Sequence, residues 1–315
     1  MTSGPVGKTG RLRETKGVGR LADPLFLCLT LGAGLLILLI LAGMVISTTR
    51  MALPIFQEAG LSFFTSTDWQ PSIGRYGALS FIYGTILTSF IALLIGVPLS
   101  LGVALFLTEV APARLRGPLS YLVDLLAMVP SVVYGLWGVL VLLPHFLQPT
   151  ATFLNKYLGF LPIFKGPVSG LSYYGAGVVL AIMIIPIISS LSREVFAAVP
   201  VDDRHAAYAL GATRWEMIRG AVLSRGRAGV VGAVMLGMGR AFGETIAVAL
   251  LIGSRPDVSK SWLQPGYSMA AVIANTWQEM TGESVNALVA IGVVLFLITI
   301  LINMAARALV WRFVD

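Results

Sequence analysis

Cysteine and histidine are almost absent from the sequence. One cysteine, Cys28, and two histidines, His145 and His205, occur in 315 residues. A single thiol excludes an internal disulfide, and cysteine usage says nothing of redox compartment; Cys28 reads as a small packing residue in an apolar run. No His or Cys spacing suits a metal centre. Neither histidine stands in an organised set of catalytic or pH-sensing partners, and the Ser, His and Asp residues form no nucleophile motif. Charge is scarce too: Asp, Glu, Lys and Arg make up 12% of the chain, against about a quarter in an ordinary soluble domain. With 57% hydrophobic residues and a mean hydropathy of +0.86, water is not the main solvent. Gly7-Lys8-Thr9 imitates the end of a phosphate-cradling loop, but Thr2 occupies the position of the earlier glycine and no strand precedes it. ATP binding by this chain, or any other cofactor within it, is not expected.

What the chain has in abundance is apolar runs of about twenty residues, each long enough to cross a hydrocarbon core about 30 Å thick. Although the length would hold two soluble domains, a single bundle explains the recurring runs more simply. The expected fold is an all-α integral membrane protein with about six transmembrane helices, near Leu25 to Ile46, Phe81 to Leu107, Leu125 to Leu143, Ala176 to Leu191, Gly229 to Ile252 and Ala287 to Ala306. Six crossings put both termini on one side. Net charge is +7, which in a soluble protein would suggest nucleic acid; in a membrane protein the distribution of basic residues matters more, and no nucleic-acid partner is expected. Fifteen of the 22 Lys and Arg residues fall in the N-terminal tail, the second and fourth loops and the C-terminus; six fall in the alternate loops, and Arg240 lies within a span. By the positive-inside rule both termini and the long fourth loop face the cytoplasm.

The division that follows is a basic cytoplasmic tail (1–23), a first transmembrane helix (24–48), an extracytoplasmic loop (49–80) and a five-helix core (81–312) containing a cytoplasmic loop (193–227). The first apolar run is too long, and the residues after it too unlike a cleavage site, for a signal peptide. That helix is therefore expected to remain. No internal repeat is visible. Pro98, Pro130, Pro186 and a set of glycines (Gly135, Gly138, Gly232, Gly237, Gly239, Gly243) fall within spans, where helix packing accounts for most of them and a gate or pathway is the other reading.

Two ionisable residues stand out. Arg240 sits near the middle of the fifth span, with Glu244 one helical turn beyond on the same face. A charge there costs about 2.5–3.5 kcal/mol on insertion scales, so both side chains should face the bundle or an aqueous route. Either Arg240 helps an anion through while Glu244 neutralises it in the empty path, or the two form a structural ion pair. Asp124, at the expected start of the third span, is explained by the helix macrodipole. The fourth loop is too long to lack structure. Its segment Ala206-Ala207-Tyr208-Ala209-Leu210, the break at Gly211 and the recurrence of Trp215, Ile218 and Val222 suit a short helix set into a partner's groove, or one lying on lipid.

The run from Arg204 to Trp215 resembles the Glu-Ala-Ala loop of ATP-binding-cassette (ABC) importer permeases, with Gly211 at the family's glycine and Leu223 at its leucine. His205, Ala221 and Ser224 stand where the family has Glu, Ile and Pro, and Asp202 and Asp203 lie close to the loop's head. Asp68-Trp69-Gln70-Pro71 with Tyr76-Gly77, the run Pro130 to Gly138, and Gly239-Arg240-Ala241-Phe242-Gly243-Glu244-Thr245 resemble phosphate permease subunits of the PstC type. The resemblance implies a type I importer permease in a bacterial inner membrane. It also implies a second, PstA-like permease, a PstB-like ATPase dimer that binds the ATP, and a PstS-like extracytoplasmic phosphate-binding protein. In that family the loop is a coupling helix, which implies ATPase contact by His205, Ala206, Ala207, Gly211, Arg214 and Trp215. Arg240 and Glu244 would border the path for phosphate. Sulfate or molybdate permeases carry related runs, and a secondary transporter or channel working without an ATPase is the rival from another class.

Overall fold

The computed structural model describes residues 19–314. The chain divides into two units, Met1–Arg50 and Met51–Asp315. In the first unit the described residues are helical, the opening part of α1 (Gly19–Ala59). Residues 24–50 are exposed throughout, as suits a helix that is apolar all round and solvated by lipid. Of the expected tail, residues 1–18 lie outside the described residues and residues 19–23 are helical. Helix α1 runs past the expected end at residue 48 and through Pro54, and stops at Gly60, whose φ of +54° is readily reached by glycine.

The second unit opens with α2 (Ser62–Thr65) and an antiparallel hairpin of β1 (Trp69–Gln70) and β2 (Arg75–Tyr76), with Trp69 opposite Tyr76. Helix α3 (Leu79–Leu105) passes into a wider turn over Phe106–Val110. Next come α4 (Ala113–Ala127), α5 (Ser131–Trp137), a π-helical stretch and α6 (Gln148–Leu158). The third apolar span is thus Ser131–Leu158 rather than Leu125 to Leu143. The reason is Pro130, which disfavours helical backbone at Val129 and stands as the cap of α5, so the helix stops and restarts around it. Asp124 consequently lies near the C-terminus of α4, and the macrodipole cannot explain it.

Helix α7 (Tyr173–Ala197) begins where Ser172 Oγ accepts the N–H of Gly175 at 3.2 Å. It is the hub of the unit: 72% of its most apolar window is buried, and it packs on α3 along its length and on α4. The expected cytoplasmic loop is nearly all helix, comprising the end of α7, α8 (Val201–Ala209), α9 (Arg214–Met217), a π-helical turn over Ile218–Leu223 and the start of α10 (Ser224–Gly243). After α11 (Ile246–Ile252) and α12 (Met269–Thr276), α13 (Glu283–Val314) closes the chain. Among the described residues six helical segments are long and apolar enough to span a membrane, as the hydropathy pattern predicts.

Glycines at Gly84, Gly96 and Gly177 let backbones meet side chains and neighbouring main chain without a Cβ between them. A Cβ on Gly177 would fall 2.6 Å from Ile91, and one on Gly84 only 1.9 Å from the carbonyl oxygen of Tyr267. Gly135, Gly138 and Gly237 are equally crowded, whereas Gly232, Gly239 and Gly243 meet nothing of this chain within 4 Å. Packing therefore accounts for only half of the glycines that interrupt the spans. Gly84→Ala, which must push aside main chain, is expected to destabilise the detergent-solubilised protein by about 1–3 kcal/mol. Gly102→Ala, in the same helix with open space around it, should be neutral or slightly stabilising. Thermal unfolding midpoints of the two variants test the contrast.

Candidate functional site

The fifth span does not continue as one helix through Arg240 and Glu244. Helix α10 ends at Gly243, Glu244 is extended (φ −71°, ψ 125°), and the chain resumes as α11 at Ile246. Arg240 therefore lies in the last turn of α10 and Glu244 just past its end. Glycine weakens a helix interior by about 1 kcal/mol relative to alanine, and Gly237, Gly239 and Gly243 fall in the final two turns. The charges suit the ends they occupy: the guanidinium sits at a helix C-terminus, and Glu244 Oε1 accepts the Ala247 N–H at 3.4 Å in the first turn of α11.

The two residues are brought together loosely. Arg240 Nη2 stands 3.9 Å from Glu244 Oε2, beyond hydrogen-bond range, with Arg240 39% exposed and Glu244 7%. Gly232, Leu236, Arg240 and Gly243 share an outward stripe of α10 that the chain's own atoms leave uncovered. At this stripe the chain presents a cation with most of its donors free, backed by a buried carboxylate.

The second expected site is the α8–α9 corner. Gly211 joins the helices at φ +83°, a conformation that strains any residue with a Cβ. Thr213 then starts α9 with a capping box, its hydroxyl accepting from the Glu216 N–H while the Glu216 carboxylate accepts from the Thr213 N–H. His205, Ala206, Leu210, Gly211 and Trp215 are exposed, Leu210 at 89% and Trp215 at 61%. Trp215 does not share a buried face with Ile218 and Val222, as their spacing suggested. Those two enter a small core with Met217, Phe196, Val199 and Ala104, against which Ala207 packs. Arg214 donates to the backbone oxygen of Glu109, so it braces the corner from behind.

Two ion pairs that the sequence does not reveal hold this corner. Glu109 and Arg204 form a partly buried ion pair at 2.9 Å, and Arg204 also donates to the carbonyls of Phe196 and Val199. Asp124 accepts from Arg193 Nη2 and from Ser190 Oγ at 2.9 Å, tying α4 to α7. A carboxylate at the end of a long apolar run was the available signal at Glu109. Its partner, 95 residues away, has no signature in the spacing.

The family of binding-protein-dependent transport system inner membrane components matches residues 96–314. The chain belongs to that family. It is 44% identical over 315 residues to the phosphate transport system permease protein PstC of Xylella fastidiosa, covering 99% of this chain and 95% of that protein. To PstC 2 of Mycobacterium tuberculosis it is 41% identical over 319 residues, covering 98% of each. A chain of the methionine ABC transporter MetNI, solved in inward facing conformations, matches with a TM-score of 0.55 at 17% identity, covering 79% of this chain and 100% of that one. That likeness speaks for the fold, the type I importer-permease architecture expected from the sequence. This inner membrane component is accordingly a multi-pass transport subunit.

Removing one member of an ion pair that is largely out of water leaves the other undercompensated, at a cost of about 1–3 kcal/mol. Glu109→Gln is expected to destabilise the subunit by that order. Arg225→Ala, which breaks the exposed pair with Asp203, should leave stability nearly unchanged. Denaturant or thermal unfolding of the purified protein measures both.

Proposed function

We propose that this chain is the permease subunit of an ATP-driven importer of inorganic phosphate, and that Arg240 receives the anion inside the membrane. The observation that carries the reading is the placement of Arg240 at a helix break, half exposed on a stripe that its own chain does not cover. It is supported by the close similarity, over nearly the whole chain, to permeases of phosphate transport systems. A second, PstA-like permease faces that stripe and completes the path. An unpaired dianion in a low-dielectric passage is prohibitively costly, and a guanidinium offers five N–H donors to receive it. Glu244 stands far enough back to release those donors, yet near enough to neutralise Arg240 when the path is empty.

The arginine-rich α8–α9 corner faces the cytoplasm, with both termini on that side. There Leu210, Trp215, His205 and Ala206 dock on a PstB-like ATPase, whose closure on ATP is passed through α8 to the bundle. A PstS-like binding protein delivers phosphate from the opposite side. The partly buried pair between Glu109 and Arg204, with the Arg214 contact behind α9, makes the corner stiff enough to transmit a displacement.

Replacing Arg240 by Gln is expected to reduce phosphate uptake to background while the complex still co-purifies with its ATPase; normal uptake in that variant would overturn the pathway role. Gly211→Val strains the backbone without a clash inside the chain, because nothing of the chain lies within 4 Å of the added Cβ. It is expected to lose the stimulation of ATP hydrolysis by loaded binding protein, and full stimulation would refute coupling through this corner.

A further inference from the structure

Beside the coupling corner lies a cavity of about 510 Å³, walled by the end of α3, the start of α4, the end of α7 and α8. Three arginines line it: Arg116, Arg193 and Arg204. Arg204 is committed to Glu109 and two carbonyls. Arg193 gives one nitrogen, Nη2, to Asp124, while its Nη1 is buried without a hydrogen-bond partner. Among the described residues the other buried side-chain polar atoms without partners are serine hydroxyls, so this is the one charged group left short of an acceptor. A buried charged donor without an acceptor is a standing penalty, and turning the guanidinium toward the cavity would let an arriving acceptor relieve it. Arg116, at the exposed edge of the cavity, has no ion-pair partner among the described residues.

We propose that this cavity binds a tetrahedral phosphate group carrying a proton, held by Arg116 and Arg193, and that occupancy slows transport from the cytoplasmic side. Forked guanidinium donors match the oxygens of such a group. The exposed carboxylate of Glu194, also in the wall, disfavours a fully ionised oxyanion but can accept the hydroxyl of hydrogenphosphate. Sulfate carries no such hydrogen at neutral pH and is selected against. Ser120 adds a hydroxyl from α4. An occupant held in this way bridges α4 to α7 next to α8 and would stiffen the corner that must move for coupling. The regulatory consequence rests on the importer reading above; binding itself does not.

The test uses the complete complex in liposomes of zwitterionic lipid, loaded with millimolar phosphate, with sulfate or with neither, and supplied with ATP and binding protein. Internal phosphate should lower initial uptake several-fold, and sulfate should not. Arg116→Gln should transport normally without internal phosphate and need roughly tenfold more of it for the same inhibition, the effect of losing one charge-assisted contact worth about 1.4 kcal/mol. Equilibrium dialysis of radiolabelled phosphate against the Arg240→Gln complex, with and without Arg116→Gln, reads binding apart from the pathway cation. A phosphatidic acid arm separates the sources: inhibition by that lipid, lost in Arg116→Gln and with no response to free phosphate, assigns the site to a lipid headgroup. Equal inhibition with and without Arg116, or no effect of either phosphate source, overturns the proposal while leaving normal uptake, and with it the importer reading, intact. Absence of uptake under every condition would instead count against that reading.

Discussion

A positive charge inside an apolar bundle must be compensated by the chain that carries it, or by whatever passes it. Moving an ion of this size out of water costs several kcal/mol even after relaxation, and the chain meets the requirement differently at three arginines. Arg204 is compensated closely by Glu109 and by two carbonyls. Arg193 is compensated on one nitrogen by Asp124, and Arg240 only at 3.9 Å. The close contacts of Arg204 and Arg193 fasten elements together, whereas the looser pairing of Arg240 leaves its donors available.

The tight pairs also fasten the surface corner to the bundle. Glu109 ends α3, Arg204 lies on α8, and α3 packs along α7, the most buried helix. Asp124 and Arg193 tie α4 to the same helix. The α8–α9 corner is therefore fastened to the core by directional, charge-assisted contacts, while its outward side keeps Leu210 and Trp215 exposed.

Much of this was legible in the sequence, and the failures share a cause. Hydropathy found the six spans because apolar length is a one-dimensional property. The pairing of Arg240 with Glu244 was legible as an i,i+4 spacing, but the break between them was not, since Gly239 and Gly243 look the same whether they pack or interrupt. Pro130 was visible as a breaker, yet only the location of α4 shows that it divides two helices rather than kinking one, which moved Asp124 from a helix start to a helix end. Arg204–Glu109 and Arg193–Asp124 join residues 95 and 69 positions apart, and no local pattern encodes such a meeting. The corner at Gly211 was legible through a family resemblance and a glycine, whereas the inward turn of Ile218 and Val222 away from Trp215 depends on the π-helical turn that begins there.

The three uncrowded glycines of α10 carry one more implication. Because a Cβ on Gly232, Gly239 or Gly243 would meet nothing else of the chain within 4 Å, the surface beside Arg240 is bare backbone. On the proposed reading, in which a second permease faces this stripe, the aperture would be a joint property of two chains, so size discrimination could be retuned from the far side with Arg240 unchanged.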